Sequence, residues 1–401
     1  MLVISRCACS YGKSQGGADV LARRHAAALS QSGFSVCLIA GSAVALPAGN
    51  HVLLVPPRSL LAMRTSGGAL NPMYLFNELM NVIRAARRGN QLLQRAPFNL
   101  VVCNHSVATL LTRFRNPQQV IIHYVHDSLH AHRNVSRVAA KPLRWVMNDL
   151  LEILAARTAN HVFCVSQGIA DQLEEAGIPS SRIALVPPLV TGPSGMALET
   201  ASLPIDDRAA AFSPFVLSVG QQTGRKRFDL LIRAMKWVPP NFSLVLVGEG
   251  PLHESYGKLV AEERLSSRVH ILGGITDVEL SRLYARAALF ALVSESEGFP
   301  VAVSEARAIG RPVLVASPAA SLWSQQRDDG LHLIPRLPSP RELGETIRSL
   351  LAVSGHTEDA PRSSQSVLPG PLVPDNGIID LYSRLLDGAN FPLNPVARRD
   401  G

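Results

Sequence analysis

Short runs rich in Val, Ile and Leu alternate along the chain with longer stretches in which apolar residues recur every three or four positions. A continuous apolar run suits a strand buried on both faces, and the longer period suits a covering helix. The alternation therefore predicts an α/β fold, with parallel sheets wrapped by helices. Strands are expected at 2–5, 35–40, 100–103, 119–124, 161–165 and 183–186, which make one sheet. A second set at 215–219, 243–247, 269–272, 289–293 and 312–316 makes another, in a second domain.

Between the two sets, Pro187-Pro188 and Gly192-Pro193-Ser194-Gly195 interrupt all periodicity, as a linker does. The expected organisation is a domain over 1–190, a linker over 191–213 and a second domain over 214–352. A Ser-, Pro- and Gly-rich irregular segment over 353–376 follows, then a final helix and tail within 377–401. No repeat of fixed period is present, although two α/β halves would amount to a structural duplication. Open α/β sheets bind ligands at the carboxyl ends of their strands, so a cleft between the halves is the default site.

Composition narrows the function classes. At 401 residues, 47% hydrophobic and 17% charged, the chain can bury large cores and is neither a peptide hormone, a toxin nor a disordered chain. No apolar run reaches the roughly 18 residues of a membrane-spanning helix. The start, Met-Leu-Val-Ile-Ser-Arg-Cys, lacks the pattern of a secretory signal, so a cytoplasmic location is expected. Five cysteines are too dilute for a disulfide framework and read as reduced, structural thiols.

Charge is uneven. Residues 1–190 hold 18 Lys and Arg against 8 Asp and Glu, whereas the remainder holds 21 against 23. A basic N-terminal half either keeps the protein soluble or meets an anionic partner, nucleic acid or the anionic face of a membrane. With 5% aromatic residues and no stacking platforms among the arginines, nucleic acid is disfavoured.

The stretch from Ser294 to Val315 carries the most chemistry. A strand ends at Val293, a loop holds Glu297 and Gly298, and a helix begins near Pro300 and ends at Gly310. Such a helix starts at a strand's carboxyl end, where its N–H groups and dipole suit a phosphate and a glycine lets backbone approach closely. Glu297 and Glu305 frame it, either as site carboxylates or as solvated charges, which is the commoner fate of glutamate.

Glu297-x7-Glu305, opened by Glu-Gly-Phe-Pro and closed by Glu-Ala-x-Ala-x-Gly, resembles the signature of the family 4 glycosyltransferases, which are retaining and use nucleotide sugars. Four further stretches fall in that family's order: Val219-Gly-Gln-Gln-Thr-Gly-Arg-Lys-Arg-Phe-Asp, Leu246-Val-Gly-Glu-Gly-Pro251, Leu272-Gly-Gly-Ile-Thr-Asp277 and Leu283-Tyr-Ala-Arg-Ala-Ala-Leu289. The resemblance is dense from 215 to 316 and looser from 1 to 190. It implies two Rossmann-like domains facing across a cleft, the GT-B architecture, and transfer of a hexose from a UDP- or GDP-sugar to a hydroxyl of a glycan or lipid-linked acceptor. An inactive sugar-nucleotide-binding protein or partner subunit is the alternative.

Arg225 and Lys226 stand between a strand and a helix that buries Phe228, Leu231, Ile232 and Met235, so they are expected at the cleft edge, able to clamp a diphosphate in place of a metal. The resemblance places Gly16, Gly17, Gly298, Phe299, Pro300, Val301 and Glu305 around the donor, with Glu305 on the ribose, Glu297 positioning the sugar and His126 contacting it. No metal or resident cofactor is expected. The run His123-Tyr-Val-His126-Asp127-Ser-Leu-His130-Ala-His132 invites a metal, but on a strand His123 and His126 point to opposite faces. Gly12-Lys13-Ser14 lacks the earlier glycine of a nucleotide-hydrolysing loop, and no G-x-G-x-x-G for a nicotinamide cofactor follows the first strand. The sequence departs from the family at Pro187-Pro188, where Asn-Gly is usual, and at Ser317-Pro-Ala-Ala-Ser-Leu322, where Gly-Gly-x-x-Glu is usual.

Overall fold

The computed structural model describes residues 2–4, 26, 29–40, 51–54, 72–95, 98–116, 119–126, 143–186, 212, 214–317, 330–353 and 375–386. They form two compact units, one of Met1–Leu189 with Pro371–Gly401, the other of Val190–Gly370.

The first unit holds a parallel seven-stranded sheet of β1 (Leu2–Ile4), β2 (Cys37–Ala40), β3 (His51–Leu54), β4 (Val101–Cys103), β5 (Ile121–Val125), β6 (His161–Cys164) and β7 (Ile183–Leu185), in the order β3-β2-β1-β4-β5-β6-β7. Every residue of β4 and β5 is buried, which is why these strands are apolar but for His123 of β5. The helix before β2 closes at Gly33, whose φ of 89° and bond to the Ser30 carbonyl form a left-handed cap. Helices α1 (Pro72–Arg95), α2 (Ser106–Arg115), α3 (Leu143–Thr158) and α4 (Gln167–Glu175) connect the later strands, with α2 packed between α1 and α3.

The second unit repeats the plan with β8 (Phe215–Val219), β9 (Ser243–Val247), β10 (Val269–Leu272), β11 (Leu289–Val293), β12 (Val313–Ala316) and β13 (Leu331–Ile334), parallel and ordered β10-β9-β8-β11-β12-β13. Its helices are α5 (Phe228–Ala234), α6 (His253–Glu262), α7 (Asp277–Arg286), α8 (Val301–Ala308) and α9 (Pro340–Val353). Alternate strand residues serve two cores. Val216, Leu244, Leu246, Ala291 and Val293 pack with Phe228, Leu231, Leu343 and Ile347 of α5 and α9. Phe215, Leu217, Val245, Phe290 and Leu292 pack with Leu283, Tyr284, Val303 and Ala306 of α7 and α8.

Both units are thus Rossmann-like, and in each the chain reverses its direction of travel across the sheet between its first and fourth strands, β1 and β4 in one, β8 and β11 in the other. The crevice outside the carboxyl ends at such a switch point is where these sheets place ligands. Two edge strands, β3 and β13, were not expected from the sequence. Each is a four-residue strand at a sheet edge, and in β13 only Leu331 is buried.

After the second unit the chain returns to the first through α10 (Asp375–Leu386). Tyr382 is 1% exposed and meets Phe163 of β6 edge to face, ring centroids 5.5 Å apart. Tyr382→Leu is expected to lower stability by about 1 kcal/mol through loss of that aromatic pair, measured by denaturant unfolding. Among the described residues no helix is long and apolar enough to cross a membrane. The described cysteines, Cys37, Cys103 and Cys164, are free and buried, and burial pushes the Cys103 and Cys164 thiols up to about 12, which keeps them unreactive.

Candidate functional site

The switch point of the second unit is built from three loops. After β8 the chain passes Gly220, makes a tight turn over Gly224–Lys226 and enters α5 through Arg227, held at φ 44°. A Cβ on Gly220 would stand 3.1 Å from the Lys226 side chain, so the bare backbone leaves room for that lysine to fold back over the strand end. The loop after β9 lies directly on this one. Gly248, at φ 135°, could not carry a Cβ without striking the Gly220 carbonyl. Gln222, fully buried, donates to the Gly248 carbonyl, and its Oε1 lies 3.0 Å from His253 Nδ1 at the start of α6.

The third loop, between β11 and α8, brings Glu297 onto the basic turn. Glu297 Oε1 accepts from Lys226 Nζ at 2.7 Å and Oε2 from Arg225 Nη1 at 3.2 Å. Arg225 Nη1 also donates to the Ser296 carbonyl at 2.6 Å, and the Glu295 N–H donates to the Arg225 carbonyl at 2.8 Å. The Glu297 side chain is 5% exposed, Lys226 12% and Arg225 26%. Burial would raise the Glu297 carboxyl, but Lys226, then Arg225 and the Ser294 hydroxyl outweigh it and hold the group down at about 2. An acid that strong is a poor proton acceptor at neutral pH, so its chemistry is orientation and charge. Arg227 flanks the cluster, paired with Asp229 at 2.9 Å and Glu295 at 3.4 Å.

The expected clamp is therefore not a pair of cations beside a separate carboxylate. Arg225, Lys226 and Glu297 are one ion-paired cluster with a net charge of one positive unit, placed where α8 begins. Nor are the two glutamates solvated. Glu305 is buried within α8 and accepts from the Tyr284 hydroxyl of α7 at 3.0 Å. Behind Glu297, Ser294 and Ser317 directly follow β11 and β12 with their hydroxyls 3.2 Å apart, both fully buried. Gly298, Phe299, Pro300 and Val301 form the turn into α8, which closes at Gly310 (φ 75°) with the Arg311 N–H bonded to the Ala306 carbonyl.

In the first unit, His126 follows β5 and its Nε2 lies 2.7 Å from Oδ1 of Asn104, which follows β4. His123, one face away, is buried between Thr109 (2.8 Å) and Glu152 (3.2 Å), and among the described residues no cluster could hold a metal ion. Gly16 and Gly17 lie outside the described residues, as do Asp127, His130 and His132. Sequence reasoning missed Tyr284, Ser294, Gln222 and Asn104; for Ser294 and Asn104 the signal available was a polar residue just after an apolar run.

A cationic cluster at the switch point of a Rossmann-like unit, at the start of a helix, is the framework of an anion-binding α/β protein. The family described as "Glycosyltransferase Family 4" matches residues 15–191, and that described as "Glycosyl transferases group 1" matches residues 207–362. The chain belongs to the family 4 glycosyltransferases. Among curated proteins it is 27% identical over 276 residues to an MMP alpha-(1->4)-mannosyltransferase of Mycolicibacterium hassiacum, covering 67% of this chain and 64% of that one. The matched stretch thus spans under two thirds of that relative's length, and less of the next ones. Among solved structures it resembles sucrose-phosphate synthase from Thermosynechococcus elongatus (TM-score 0.73, 19% identity, 97% of this chain and 99% of that chain). It also resembles Anabaena Alr3699/HepE, solved with UDP and with UDP-glucose (TM-score 0.63 and 18% identity for the UDP complex, 97% and 99% covered). At these identities the structures establish the fold.

Tyr284→Phe removes only the hydroxyl that fixes Glu305. If Glu305 holds a ribose, the variant is expected to bind a nucleoside diphosphate about fivefold more weakly, the worth of one hydrogen bond, and its 2′,3′-dideoxy analogue unchanged. Calorimetric titration of both ligands checks this.

Proposed function

We propose that the protein is a retaining glycosyltransferase that moves a hexose from a UDP- or GDP-sugar to a hydroxyl of a glycan or lipid-linked acceptor, without a metal. The observation that carries this reading is the Arg225–Lys226–Glu297 cluster at the β8/β11 switch point and the start of α8. A departing nucleoside diphosphate gains negative charge in the transition state, and cations fixed beforehand stabilise it without reorganisation. Lys226 and Arg225, held at the helix start by Glu297, take that part. Glu297 orients the donor sugar as well, through hydroxyls that donate to its carboxylate. Its low pKa favours a route in which the leaving diphosphate, rather than a side-chain base, is nearest the incoming hydroxyl on the departing face. Glu305, steadied by Tyr284, holds the ribose. In the first unit, Gly16, Gly17 and His126 are the residues that the family resemblance assigns to the donor. Family membership and a fold neighbour that was solved with UDP-glucose support the donor class.

Thermal unfolding in EDTA with UDP, GDP and their hexose conjugates tests the donor class. A ligand at about 100 times its Kd adds about 2.7 kcal/mol, so one nucleotide series is expected to raise Tm clearly and the other little. No shift with any of them would overturn the reading. Proton NMR of the product then reads the anomeric configuration, expected to match the donor's.

A further inference from the structure

Four large apolar side chains stand exposed among the described residues: Leu79 (44%), Phe114 (77%), Leu150 (55%) and Leu154 (43%). All four belong to α1, α2 and α3, three helices of the first unit packed in series, α1 on α2 and α2 on α3. Exposed apolar residues scattered singly need no explanation, but confinement to one row of helices does. Leu150 and Leu154 are one turn apart and so share a face of α3.

The same three helices carry the basic surplus. Over Pro72–Arg95, Ser106–Arg115 and Leu143–Thr158 the chain has eight arginines and three acidic residues, Glu78, Asp149 and Glu152. Of these acids Glu152 is spent inward, on buried His123. On α1, Asn81, Val82, Ala85, Ala86 and Asn90 are buried, which leaves Leu79, Arg87, Arg88 and Arg95 outward, whereas Arg84 is half-buried. The neighbouring helix α4 is different, with Asp171, Glu174 and Glu175 exposed, so the basic character stops at α3.

We propose that the outer face of α1–α3 docks on an anionic lipid bilayer, with Phe114, Leu150, Leu154 and Leu79 entering the interface and Arg87, Arg88 and Arg95 among the phosphates. Amphipathic helical surfaces bind membranes by this combination of buried apolar area and attraction to anionic headgroups. A second copy of the chain is the less suitable occupant, because an isologous contact would press one basic patch against the same basic patch. The proposal stands apart from the glycosyl-transfer reading, since none of its residues belongs to the donor site.

Vesicle flotation of the full chain decides it, with phosphatidylcholine vesicles alone and with about one third phosphatidylglycerol added. Binding only to the anionic vesicles, weakened by high salt, is expected. Arg87→Glu/Arg88→Glu changes the patch by four units of charge and should reduce partitioning by on the order of 600-fold, each unit being worth about fivefold. Phe114→Ser/Leu150→Ser should reduce it at every salt concentration, and Tm of both variants confirms that they fold. Equal binding to both vesicle types, or to neither, overturns the proposal. So does sedimentation showing a dimer that Phe114→Ser/Leu150→Ser converts to monomer.

Discussion

Glu297→Gln is expected to lower the rate of transfer by on the order of 100- to 1000-fold, the usual cost of removing one aimed charged or hydrogen-bonding group from a transition-state site. Glutamine keeps an acceptor oxygen and the shape, but releases Lys226 and Arg225 from a fixed position. Glu297→Ala goes further, because it leaves two partly buried cations uncompensated. A loss of about 3 kcal/mol in stability is expected, the low end for a broken buried pair, since Arg225 and Lys226 keep some solvent. The same figure follows from the carboxyl's fall from 4.5 to about 2. Because the folded value lies below the unfolded one, this stabilisation is fully present above about pH 4.5 and is lost as pH falls through about 2. Denaturant unfolding of wild type and Glu297→Ala across that range should show a gap that narrows toward pH 2. A constant gap would mean that Glu297 acts by packing rather than by charge.

Lys226→Ala and Arg225→Ala should each weaken nucleoside diphosphate binding by about 10- to 100-fold, a charge-assisted contact being worth about 1.5 to 3 kcal/mol, and leave the bare nucleoside within threefold. The cluster adds a further consequence. Removing Lys226 exposes the ligand to the Glu297 carboxylate, so Lys226→Ala/Glu297→Gln should bind the diphosphate more tightly than Lys226→Ala alone. Calorimetric titration in EDTA measures all of these. Parallel losses for nucleoside and diphosphate would show that the loop shapes the site without holding phosphate, and loss of wild-type binding in EDTA would give the phosphate to a metal.

The second unit was the more legible of the two, for a physical reason. In β8, β9 and β11 neighbouring residues face two separate cores, so each strand is apolar but for at most one serine and its ends coincide with those expected. Strands β3 and β13, four residues each at sheet edges, were missed. Glu297, Arg225 and Lys226 were recognisable singly, but a contact between residues 71 apart in sequence leaves no periodic trace. The role of Gly248 and Gly250 is steric, a close approach of two loops that only paired backbones reveal. Ser317, where the sequence departs from the family pattern, supplies a hydroxyl to Ser294 beside Glu297.

The central claim is that the Glu297 cluster serves glycosyl transfer from a nucleotide sugar. Release of free UDP or GDP from a panel of hexose donors tests it most directly, in EDTA with a total lipid and glycan extract as the acceptor source, comparing wild type with Glu297→Gln. Release from one donor series, lowered in the variant by on the order of 100-fold or more, is the predicted result. Release from no donor, or release that the substitution leaves unchanged, would contradict the claim.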